Sequence, residues 1–242
     1  FKGAETMDVT IDDAASTAIG KFTMNTESHA DTLTTGQVSK LKAATLTLAG
    51  YLGSAAVTLA ADTTTANTSV KKVAADVNAV KDDTGIEAVA ITKGKISAVS
   101  GTGVISFDLA GNQTNGVAAT KYDVTATLAS TSDLDPLVDA INAHAANTGI
   151  TAVLGATAAE IILTHQTGET IEITNVKVVT TDGTMVLTAL DKFGNAVTAK
   201  DTTLSRAANS ATAKITLGNQ ATTGVKARGH VLGQMTLNSI KS

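Results

Sequence analysis

Asn78–Val89 reads NAVKDDTGIEAV, and 64 residues later Asn142–Val153 reads NAHAANTGITAV. Seven of the twelve positions are identical (Asn, Ala, Thr, Gly, Ile, Ala, Val), where this composition gives about one by chance. The likeness continues upstream. Leu46-Thr-Leu-Ala-Gly50 matches Phe107-Asp-Leu-Ala-Gly111 at an offset of 61, and a hairpin loop three residues longer in the second copy absorbs the shift. The chain is therefore read as two copies of one supersecondary unit in tandem, Ala43–Thr102 and Gly103–Val176.

Each copy opens on strand patterns rich in Thr and Val, residues that suit a half-buried pleated surface. They are Ala43–Leu48 and Ala56–Ala60 in the first copy, and Val104–Leu109 and Tyr122–Leu128 in the second. A helix follows. Val70, Val73, Val77 and Val80 recur at helical spacing, as do Leu134, Leu137 and Ile141, so each helix carries one apolar stripe that can lie on a sheet. Val73, Val77, Leu137 and Ile141 are the expected structural residues of those stripes. Thr68 or Ser69, and Ser132 or Asp135, are the cap candidates, and Pro136 suits a first helical turn. Gly85 and Gly149 stand where a helix must stop and a strand begin at once, which predicts a positive φ at both. Strands resume at Ile86–Ile91 and Ile150–Leu154, then at Ile161–Thr164 and Thr170–Val179.

The expected fold class is α+β and mainly β overall: tandem ββαββ-type repeats, each a short amphipathic helix on antiparallel sheet, plus a small β-rich flanking region. The flanks, residues 1–42 and 177–242, carry no matching repeat and are expected to pair with each other as a base region. Phe1–Ile11 reads as a strand, Asp12–Gly20 as a short helical turn or loop, and Val38–Lys42 as a short helix. Thr184–Leu190, Ala196–Thr198, Ala211–Leu217 and Gln234–Ile240 read as short strands between turn signals such as Asp182-Gly183 and Gly194-Asn195.

Composition narrows the function. The 242 residues carry a net charge of -4, and aromatics make up 2%. A protein that grips nucleic acid through a basic field is excluded. Thr and Ala supply over forty residues each, so any core is aliphatic and fine-grained. There is no cysteine, which removes disulfides, zinc–thiolate sites and thiol nucleophiles together. No apolar run reaches the 18–20 or so residues of a membrane helix. The first residues lack the basic and apolar regions of a secretory signal, and the chain reads as part of something longer.

Chemistry-bearing constellations are sparse. His29, His144, His165 and His230 have no partner at metal-ligand spacing. Asp12-Asp13 and Asp82-Asp83 are neighbours whose side chains diverge, as solvated turns or caps do, unlike a convergent acid–base pair. Gly101-Thr-Gly-Val lacks the Lys-Ser/Thr of a phosphate loop. Lys71-Lys72 and Lys93/Lys95 have no aromatic neighbours for base stacking. Asn67-Thr-Ser and Asn112-Gln-Thr are formal glycosylation triplets of the kind a Thr-rich chain produces by chance. No catalytic residue, cofactor or metal ligand is expected.

The residues do carry a family resemblance. Asp133-Leu-Asp-Pro-Leu-Val-Asp-Ala-Ile-Asn142, Asn147-Thr-Gly-Ile-Thr-Ala152, Ile161-Ile-Leu-Thr164 and Gly168-Glu-Thr-Ile-Glu-Ile173 together resemble the insertion motif of bacterial flagellins and hook-associated proteins. Val73–Ala79 with Thr84–Ala88 resembles a more diverged copy. Phe1-Lys-Gly-Ala4 through Val9-Thr-Ile11 is similar to the segment where a flagellin core gives way to its variable region. Gly233–Ser239 is similar to the segment where that region returns. The resemblance implies the surface-exposed outer domains of a flagellin, outside the cell, without the terminal helices that build the filament. It implies other flagellin subunits as partners through regions outside these residues, weak outer-domain contacts, host or glycan contacts, and surface Ser and Thr open to O-linked sugars. The alternatives are an outer domain of a flagellar cap or hook-associated protein, or a carbohydrate-binding adhesin. The scarcity of aromatics for sugar stacking weighs against the adhesin.

Overall fold

The computed structural model describes residues 22–25, 29–31, 44–59, 69–111, 120–178, 183–197, 214–218 and 229–239. In chain order the elements are β1 (Phe22–Asn25), β2 (His29–Asp31), β3 (Ala44–Ala49), β4 (Ser54–Leu59), α1 (Val70–Ala79), α2 (Lys81–Thr84), β5 (Ile86–Ser97), β6 (Gly103–Ala110), β7 (Tyr122–Leu128), α3 (Asp135–Asn142), α4 (Ala145–Thr148), β8 (Ile150–Leu154), β9 (Ile161–His165), β10 (Ile171–Val178), β11 (Thr184–Leu190), β12 (Lys214–Gly218), β13 (Gly229–Leu232) and β14 (Gln234–Ser239). The fold is mainly β, and among the described residues every strand pair is antiparallel. The sequence readings of Phe1–Ile11, Asp12–Gly20 and Val38–Lys42 lie outside the described residues.

β5 organises the molecule. Its first half, Ile86–Ile91, pairs with β14, which pairs with β1. Its second half pairs with both β9 (Thr92↔His165 to Ile96↔Ile161) and β11 (Lys93↔Leu190 to Ser97↔Val186). With β8 on β9 and β12 on β11, these strands make a seven-stranded sheet. A five-stranded sheet runs β2-β13-β10-β6-β7, and β3–β4 stands as its own hairpin. Strands from the two ends of the chain meet twice: Phe22 faces Ser239 across β1–β14, and His29 faces Leu232 across β2–β13.

The structure corrects the expected strand order of the first copy. After its helix there is one 12-residue strand, β5, rather than two strands. The Lys93-Gly94-Lys95 stretch resembles a turn signal, but Gly94 lies within the strand. A Cβ there would sit 3.2 Å from a Val231 methyl, so the glycine makes room for a packed layer. The place beside Ile86–Ile91 is taken by β14, which arrives from the far end of the sequence. In the second copy two strands follow the helix, β8 and β9, before β10.

Two hydrophobic cores result. Val70, Val73 and Val77 of α1 pack with Leu48, Ile86 and Leu237 in the smaller one. Leu134, Leu137 and Ile141, all at 0% exposure, pack with Phe107, Ile150 and Leu163 in the larger one. Full burial of a Leu or Ile side chain contributes about 1.5–3 kcal/mol. The helix starts differ from one another. Ser69 caps α1, its Oγ accepting from the Lys72 N–H at 3.3 Å. Neither Ser132 nor Asp135 caps α3. Leu134 holds that position, with its N–H donating to the Ala158 carbonyl and its side chain buried, while Asp133 accepts from the Asp135 N–H. Packing sets that boundary, and Pro136 follows in the first turn as its fixed φ allows.

Candidate functional site

The residues shared by NAVKDDTGIEAV and NAHAANTGITAV come together as one constellation, built twice. Gly85 and Gly149 have φ of 72° and 71°. Their N–H groups close the final helical turns on Lys81 O and Ala145 O at 2.7 and 2.8 Å. Thr84 Oγ1 donates to Val80 O and accepts from Ile86 N. Thr148 Oγ1 does the same between His144 O and Ile150 N. The asparagines complete it. Asn78 Nδ2 donates to Ala88 O at 2.9 Å while its Oδ1 accepts from Ala88 N at 2.8 Å. Asn142 makes the same two bonds to Ala152 at the same lengths.

This pairing explains the positions. Among the described residues, β8 has one strand neighbour, β9. On its other side the peptide groups of Ala152 point outward, and the Asn142 carboxamide occupies both as a neighbouring strand would. An unpaired edge is a template for sheet growth, and here one side chain occupies the Ala152 peptide groups at its middle. The small residue at the end of each hairpin has a matching cause. A Cβ at Gly50 would lie 1.9 Å from Thr84 O, and at Gly111 2.2 Å from Thr148 O. The hairpin backbone therefore rests directly on the helix end. Asn78, Asn142, Thr84, Thr148, Gly50 and Gly111 were visible as matched positions, but their role was not. The available signal was an exposed polar residue repeated on a helix with no packing reason.

We expect Asn142→Ala to cost about 1–3 kcal/mol, because it removes two hydrogen bonds of about 0.5–1.5 kcal/mol each. Urea titration measures the loss, and sedimentation velocity should show new self-association through the opened β8 edge.

A second polar feature lies where the cores meet. His165, the last residue of β9, is 4% exposed. Its Nδ1 accepts from the Thr167 N–H at 3.4 Å, and its Nε2 is buried against Gly149. Burial lowers its pKa below the usual 6.5; Glu169 opposes that shift, Lys71 adds to it, and the Thr148 carbonyl opposes it. Lys71 Nζ lies 3.2 Å from Glu169 Oε1, and Lys71 N–H donates to Gly168 O.

The remaining histidines and carboxylates are dispersed. His144 is half-buried beside the Tyr122 ring, 5.6 Å between centroids, and His230 is buried in β13. Asp82 and Asp83 are exposed in the first turn of α2. Asp12, Asp13, Asn67 and Asn112 lie outside the described residues. Three lysines of these clusters are ion-paired: Lys71 to Glu169, Lys72 to Asp76, and Lys95 to Glu160 at 2.7 Å. A tight turn holds Asp191, whose carboxylate accepts from the N–H groups of Phe193 and Asn195. Burial works to raise its pKa, and the hydrogen bonds from Asn195, Phe193 and Gly194 outweigh it, leaving the group low. Among the described residues no three His, Asp or Glu side chains are grouped to hold a metal ion. No helix among them is long and apolar enough to cross a membrane.

Gly85, Gly149, Val73, Val77, Leu137 and Ile141 are thus positioned as parts of two helix–strand junctions. The arrangement locks each helix to the strand that follows it. No protein-family model matches the chain, and a search of curated proteins finds no similar sequence.

Proposed function

We propose that these residues are outer domains of a bacterial flagellin: a structural, non-catalytic part of the flagellar filament, displayed on its surface outside the cell. In this reading Ala43–Thr102 and Gly103–Val176 are two copies of one helix-on-sheet unit, and residues 1–42 and 177–242 form their base. The observation that carries the proposal is the Asn–Thr–Gly constellation, formed with the same bonds 64 residues apart by the residues that resemble the flagellin insertion motif. Two further features support it. The pairing of Phe22 with Ser239 brings the first and last described strands side by side, as suits a body carried on a longer chain. The asparagine bonds that occupy the outward peptide groups of Ala88 and Ala152 suit domains crowded together on a filament.

Immunogold labelling with antibodies raised against the 242 residues tests this on cells of the source bacterium. Gold is expected along the whole filament. Labelling confined to the tip or the hook junction would move the assignment to a cap or hook-associated protein. Unlabelled flagella would overturn the flagellar reading. The isolated residues are expected to stay soluble without forming filaments, because an extended polymer needs a repeating, non-closing interface. Light scattering and negative-stain microscopy check that expectation.

A further inference from the structure

The turn after β9, residues 166–170, belongs by sequence to the larger core but lies on the smaller one. Gly168 (φ 80°) packs so closely that a Cβ there would come 2.3 Å from the Ala90 Cβ. Its carbonyl accepts from the Lys71 N–H in the first turn of α1 at 3.1 Å, and Glu169 pairs with the Lys71 ammonium. The turn is held from behind by His165, whose Nδ1 accepts from the Thr167 N–H. With that bond made, Nδ1 carries a lone pair and the neutral ring holds its proton on Nε2; the Thr167 hydroxyl lies 3.3 Å from the same nitrogen.

We propose that His165 is a proton-operated latch: neutral, it fastens the 166–170 turn to α1, and protonated, it lets the turn go. A proton on Nδ1 ends the bond from the Thr167 N–H, leaves only the Thr167 hydroxyl at 3.3 Å to accept it, and puts a charge on a ring that is 4% exposed. Glu169 offsets part of that charge, with its Oε1 already engaged by Lys71. The charges acting on the ring among the described residues are Glu169, from its own turn, and Lys71, from α1. The Thr148 carbonyl faces it from α4.

The direction with pH follows. Burial holds the latched pKa below 6.5, so the released state binds the proton more readily. Latching is fully present above about pH 6.5 and is lost progressively as pH falls towards the latched-state pKa.

Amide hydrogen exchange of the full chain between pH 7.5 and 4.5, corrected for intrinsic rates, tests the latch. Protection at the Lys71 amide should fall as pH drops below about 6.5, by at most about tenfold per pH unit, and should level off where NMR shows the His165 ring to titrate, while Leu163 in the larger core stays protected. In His165→Gln the pH dependence should vanish, and in His230→Gln it should persist. Should His165→Gln fail to fold, Glu169→Gln keeps the histidine and removes the anion that eases its charging. The loss should then continue to lower pH. A flat profile in the wild type, an unchanged profile in His165→Gln or Glu169→Gln, an abolished one in His230→Gln, or Leu163 and Lys71 losing protection together would each overturn the proposal.

Discussion

Truncating Ile141 to alanine is expected to lower stability by about 2–4 kcal/mol. The side chain is at 0% exposure on α3 and packs into the larger core, so the change removes transfer free energy and leaves a cavity. The surrounding sheet strands cannot collapse into that space without breaking their ladders. Lys81→Ala is the matching control. Its ammonium lies 3.5 Å from Glu87 with both side chains 40% or more exposed, and such a pair contributes little. Its removal should stay within about 0.5 kcal/mol. Equal losses at the two sites in a denaturant titration would contradict the helix faces described here.

Gly149→Val is expected to cost about 2–5 kcal/mol. A left-handed backbone costs a side-chain-bearing residue about 1–2 kcal/mol, and forcing atoms into a packed site adds about 1–3 kcal/mol. Both apply, because a Cβ at this position would lie 2.5 Å from the buried Nε2 of His165. Gly85→Val carries the same backbone penalty, but its Cβ would meet the ring of Tyr51 at 2.2 Å, and Tyr51 is 45% exposed. That ring can swing into solvent, so the loss should be the smaller of the two. Thermal melts of the two variants side by side read the difference directly, and a larger loss at position 85 would refute the packing argument.

The contrast between these glycines also marks how far the sequence is legible. A helix that stops and becomes a strand within one residue needs the left-handed conformation, and that need is local. The same holds for β7, β8 and β11, whose bounds coincide with their Thr- and Val-rich patterns. What could not be read depends on residues far away in the chain. β5 runs on through Gly94 because β9 and β11 flank it. β1, β2 and β13 are three or four residues long and owe their ladders to neighbours from the opposite end of the sequence. The start of α3 is fixed by the buried Leu134 and the Ala158 carbonyl rather than by a polar cap. The asparagines were in plain view in both copies, yet a role that consists of mimicking an absent strand exists only once the edge is folded.

β5 has a mechanical side. At about 3.3 Å per residue, its 12 residues form an extended beam about 40 Å long that takes part in the smaller core at one end and the larger at the other. A joint made of a loop would let the two cores swivel. A continuous strand, laced to β14 along one half and to β9 and β11 along the other, puts those ladders in shear, where many hydrogen bonds share the load at once. Load on one core is therefore passed towards the other through a paired strand rather than through a loop.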